Sequence, residues 1–65
     1  MNKEEIKELI KSGEYKTVKE LREQFHQAHI TQSGNVEVII EDWRVMLGKI
    51  EGIYKVASIT KRNSL

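Results

Sequence analysis

The stretch over 30–43, "ITQSGNVEVIIEDW", constrains this chain most, because its two possible secondary structures lead to different architectures. With a helical period, Val36, Ile39, Ile40, Trp43 and Leu47 fall on one face, an apolar stripe with Ser33 or Asn35 as its N-cap. With a period of two, Val36, Val38 and Ile40 alternate with Glu37, Ile39 and Glu41. The run VEVII, four of whose five residues are β-branched, then favours a strand. The helical stripe is longer and takes in Trp43, so the sequence favours a third helix here.

The flanks read more simply. In "NKEEIKELIKS", Ile6, Leu9 and Ile10 recur at helical spacing, Glu4 and Glu5 suit the first turn, and Gly13 ends the helix. Lys3, Lys7 and Lys11 stack on another face of it. "TVKE" is a capping box in which Thr17 and Glu20 satisfy each other's backbone amides. It opens a second helix running to about Ala28, with Val18, Leu21, Phe25 and Ala28 inward. The segment "RVMLGKIEGIYKVASITK" alternates and carries Glu51 and Gly52 where a two-residue hairpin turn needs positive φ. It predicts strands over 45–50 and 53–59, with Ile53, Lys55, Ala57 and Ile59 on one face and Tyr54, Val56 and Ser58 on the other. The polar, uncapped tail over 60–65 is expected to fray.

At 65 residues the chain supports one domain, and a domain of this size buries only about 60% of its unfolded surface. A ligand cleft of roughly 300–1,000 Å³ would consume most of that core, so an enzyme is not expected. The absence of cysteine removes thiol catalysis, thiolate metal sites and a disulfide staple, and fits a reducing compartment. His26 and His29, with Glu23, share a face of the second helix, but they lack a fourth ligand, so neither metal nor cofactor is expected. No apolar run approaches the ~18 residues of a membrane span, and the N-terminus has acids where a signal peptide carries cations. The expectation is a soluble, cytoplasmic protein with no membrane partner; the initiating Met and the absence of a linker-like end suggest a complete chain.

The net charge of +1 divides unevenly. Residues 1–29 are neutral overall, 30–43 carry three acids and no base, and 44–65 carry five bases and one acid. A nucleic acid would therefore meet the C-terminal third and the lysines of the first helix, while the centre would repel phosphate.

With a third helix, the chain is an α+β domain over 1–65: three helices followed by a two-stranded β-hairpin, the outline of a winged helix-turn-helix. On that outline it resembles the N-terminal DNA-binding domain of the arginine repressor family from 4 to 58. The family's first helix is similar to "IKELIKS", its T-x-x-E-L pattern stands as Thr17, Glu20 and Leu21, its T-Q-[AS] stretch as Thr31, Gln32 and Ser33, and its G-x-Y-K strand as Gly52, Tyr54 and Lys55. After T-Q-[AS] the family continues T-V-S-R-D-I, whose Ser and Arg reach the major groove. Here "GNVEVII" follows, with Glu37 and Val38 in place of that polar pair. The family's arginine-binding, hexamer-forming domain has no counterpart in these residues, so arginine sensing is not expected.

The resemblance implies a small DNA-binding transcriptional regulator of repressor type. Thr31, Gln32, Ser33 and Asn35 would read bases from the start of the third helix. Arg44, Lys49 and Lys55 would hold phosphates, with Lys3, Lys7 or Lys11 adding more, and a homodimer would form on double-stranded DNA. If 34–43 is instead a strand, the architecture becomes two helices on a three-stranded antiparallel sheet. An interaction or inhibitor protein of the phage or mobile-element kind then gains ground. It would present Glu37, Glu41 and Asp42 to a basic protein partner, with Trp43 as anchor if exposed.

Overall fold

The computed structural model of the chain describes residues 1–62. Two helices, α1 (Lys3–Gly13) and α2 (Val18–Gln24), precede four strands, β1 (Gln27–Ile30), β2 (Val36–Ile40), β3 (Trp43–Ile50) and β4 (Ile53–Lys61). The strands form one antiparallel sheet in the order β1-β2-β3-β4. α1 packs on β4 and α2 on β1, so the helices cover one face of the sheet and leave the other open.

This corrects the three-helix, winged-helix expectation. The fold is α+β, but there is no third helix among the described residues, and the sheet has four strands rather than a two-stranded hairpin. Two helices on an antiparallel sheet, the alternative drawn from the strand reading, comes close and lacks only β1.

Both helices begin at capping boxes. The Asn2 side chain accepts from the Glu5 amide at 2.9 Å while Glu5 accepts from the Asn2 amide at 2.8 Å. In α2 the Thr17 hydroxyl accepts from the Glu20 amide, and the Glu20 carboxylate accepts from the amides of Lys16 and Thr17, each at 2.9 Å. Those amides hold the Glu20 carboxyl below the usual carboxylate range. α2 stops at Gln24, short of the expected Ala28, because Phe25 turns extended at φ −125, ψ 131. Phe25 and Ala28 still reach the core, one from the helix end and the other from β1. At Gly13 a Cβ would run into the far end of the Tyr15 ring, which would have to shift to admit it. The left-handed turn falls one residue later, at Glu14.

The 30–43 stretch supplies two strand segments and two turns. Val36 and Val38 are 1% and 0% exposed on the helix side, whereas Ile39, a member of the helical stripe, is half-buried on the open face. "TQSGN" closes β1 onto β2. The Thr31 amide donates to the Asn35 carbonyl, the Gly34 amide donates to the Thr31 carbonyl, and Gly34 stands at φ +89. That is a three-residue hairpin loop with glycine in the left-handed position. Glu41, at φ 54, ends β2 and breaks any helical continuation into Trp43.

The hairpin at Glu51 and Gly52 stands where the sequence puts it, with φ of 53 and 82. The facing of β4 differs from simple alternation. Met46 pairs with Ser58 and Leu47 with Val56, so Ala57 is an extra residue, and Ile59 joins Tyr54 and Val56 on the helix side. β4 also runs past the expected fraying point, since Thr60 and Lys61 pair with Arg44 and Trp43; residues 63–65 of that tail lie outside the described residues. Among the described residues, no helix is long and apolar enough to cross a membrane.

Two outcomes check this packing. Val38→Ala is expected to cost about 2 kcal/mol in urea unfolding, against less than half that for Ile39→Ala; the helical stripe would reverse the order. Glu51→Asn relieves a left-handed glutamate, and raises Tm by roughly 2–4 °C.

Candidate nucleic-acid interface

Among the described residues no polar or charged side chain is buried, so whatever chemistry the protein performs takes place on its surface. The residues drawn from the sequence fall into three places. Thr31, Gln32, Ser33 and Asn35 lie in the β1–β2 turn, not on a helix, which removes the helical placement that made them base readers. Lys49 and Lys55 lie on the β3–β4 hairpin at that same end of the sheet, where Asn35 adjoins Gly48 and Gly48 pairs with Lys55. Arg44 is elsewhere, on the open face, with Nε 3.1 Å from Glu37.

The three acids do not combine into one face. Glu37, its side chain 18% exposed, bridges His29 at 2.9 Å and Arg44 across three strands. Glu41 accepts from the Met1 amino group at 2.8 Å. Asp42 sits in the β2–β3 turn, where its carbonyl accepts from the Arg62 amide. Two of the three carboxylates are thus already paired with cations of this chain. His26 follows α2 while His29 is on β1, so they do not share the helix face that the sequence suggests.

The lysines of α1 do converge with β4. Helical spacing puts Lys3, Lys7 and Lys11 on one flank, and the packing of α1 turns that flank toward the outer edge of β4. A shallow groove of about 310 Å³ is lined by Lys3 and Lys7 from the helix and by residues 56–59 from the strand. It continues into one of about 190 Å³, lined by Lys7, Ile10 and Lys11 from the helix and by Tyr54, Lys55 and Val56 from the strand. No carboxylate lines either part. The nearest counter-charge, Glu4, is 3.9 Å from Lys7 with both side chains well exposed, a pairing worth little.

Aromatic rings stand at both ends of this band. Lys61 and Lys3 lie 4.5 and 6.0 Å from the ring centroid of Trp43, and Lys49 lies 5.4 Å from that of Tyr54. Trp43 is half-buried, and its indole N–H donates to the Met1 carbonyl at 2.8 Å, so it is an interior wall rather than an exposed anchor. The sequence showed the lysine row on α1 but not the strand edge it borders. The signal was present in the equal four-residue spacing, and its meaning depended on β4 being an edge.

No protein-family model, curated protein or solved structure matches this chain. The residues behind the resemblance to the arginine repressor domain are spread over α1, the start of α2, the β1–β2 turn and the β3–β4 hairpin.

The Met1 amino group is a titratable check on the Trp43 end of the band. Its hydrogen bond to Glu41 and the charge of that carboxylate raise its pKa above the ordinary α-amino value. The contact is therefore fully present below about pH 8 and is lost as pH rises through the higher folded value. Trp43 fluorescence is expected to shift over that alkaline window in the native protein, and not in Glu41→Gln.

Proposed function

We propose that this protein is a small DNA-binding regulator that grips the phosphate backbone of a duplex with the groove between α1 and β4. The observation that carries the reading is the convergence of Lys3, Lys7, Lys11 and Lys55 on one groove without a carboxylate in its lining. A row of exposed lysines on a helix is ordinarily just a solvated face. Here the row borders a concave surface whose strand wall includes a further lysine, Lys55, and concave basic surface focuses positive potential where a strand of phosphates could lie. Hydrogen bonds to phosphate position a protein without reading sequence, so no recognition helix is needed for this step.

The open face of the sheet supports no competing nucleic-acid reading. Single strands are held by bases stacked on aromatic rings, and all four rings, Tyr15, Phe25, Trp43 and Tyr54, belong to the core or pack against it on the helix side.

The test is a titration of labelled random-sequence duplex by fluorescence polarisation at 50 and 200 mM salt. Four neutralised phosphates give a log–log salt slope of about 3.6. Lys7→Ala, Lys11→Ala and Lys55→Ala each lower it by about 0.9 while leaving Tm unchanged. Absence of binding at the lower salt, or a slope unmoved by all three substitutions, overturns the proposal.

A further inference from the structure

We infer that the β3–β4 hairpin enters the major groove and that its tip pair, Ile50 and Ile53, contacts the 5-methyl groups of thymine; this rests on the DNA-binding reading above. β2 pairs with β3 only as far as Leu47, so residues 48–55 project from the sheet as a two-stranded ribbon. The ribbon is braced at its base, where the Tyr54 amide donates to the Tyr15 carbonyl at 2.8 Å and the Tyr54 ring is buried. The major groove, about 12 Å wide, admits a two-stranded ribbon as it stands, whereas the minor groove, at about 6 Å, must be widened to take one.

Three features of the ribbon fit that groove. Ile50 and Ile53 face each other across the strands on the side turned away from the helices, and Ile50 is 58% exposed. An isoleucine so placed adds little to the core, but it matches the one apolar group that the major groove displays. Lys55 lies on the same face, Lys49 on the opposite one, and Lys55 also lines the basic groove, so the ribbon continues the phosphate track. Gly48, the remaining position on this face, is not demanded by packing. A Cβ there would meet only the Asn35 side-chain oxygen, at 4.0 Å, so its absence serves close approach from outside. Asn35 and Gln32, in the adjoining turn, are side chains of the type that pairs with adenine, the base opposite thymine.

The experiment compares two duplexes of one A·T-rich sequence, one with thymidine and one with deoxyuridine throughout, by polarisation at fixed low salt. Their phosphate charges are identical, so only the methyl group differs. The thymidine duplex is expected to bind about fourfold more tightly for each methyl contacted. That preference disappears in the Ile50→Ser, Ile53→Ser double variant, whose folding is checked by Tm and whose salt slope stays that of the native protein. Equal binding of the two duplexes by the native protein, with salt-dependent binding intact, overturns the inference and leaves the groove reading standing. Retention of the preference in the double variant overturns it as well. Failure to bind either duplex overturns both. An apolar tip between lysines would also suit an anionic membrane. Binding to phosphatidylserine vesicles that depends on Ile50 and Ile53, without discrimination between thymidine and deoxyuridine, assigns the tip to lipid instead.

Discussion

Val38 and Val45 sit opposite each other in the two central strands, and both are fully buried beneath the helices. Val36 and Leu47 repeat the arrangement one step along, and Ile6, Ile10 and Leu21 close over them from α1 and α2. Each of these seven side chains, removed from water, contributes on the order of 1.5–3 kcal/mol. With no cysteine to form a disulfide, the fold rests on this layer. It requires β2 to be a strand, since only a period of two brings Val36, Val38 and Ile40 to one side. Once β2 is extended it needs partners on both edges. β3 takes one edge, and the segment after α2 becomes β1 to take the other.

That layer also determines where charge can go. With β2 and β3 central, β4 is an edge strand, and α1 crosses it with Ile6 and Ile10 inward. The lysines flanking that apolar stripe are thereby brought over the free edge. Charge beside an exposed edge discourages pairing with another chain's strand, so the same lysines guard the sheet and form the basic groove. The other edge has a different guard: Arg22 Nε–H donates to the Ala28 carbonyl at 3.0 Å, occupying an outward group of β1. On the open face Glu37 ties His29 to Arg44 across three strands, between the half-buried Ile39 and Met46.

The elements legible in the sequence are those stabilised by neighbours in the chain. The Thr17 and Glu20 box, the apolar stripe of α1 and the turn at Glu51 and Gly52 each close within a few residues, and each stands where its residues put it. The asymmetry of charge was equally legible, including the spacing of Lys3, Lys7 and Lys11. Other features had no local signature. Gln27, Ala28 and His29 carry little strand preference, and Ala57 gives no sign that it is the extra residue that turns Ile59 inward.

Residues 30–43 divide the two kinds of information. Their order alone determined that Val36 and Ile40 would be buried, because both periods put those two inward, and that Gly34 could take a positive φ. Whether Val38 or Ile39 joined them was decided by tertiary structure. A longer helical stripe was available, but a helix would have left β3 paired on one side only, with β4, and a strand gave it a second neighbour. The groove between α1 and β4 follows from the same choice, because it exists only where a helix of local origin lies along an edge made by pairing distant parts of the chain.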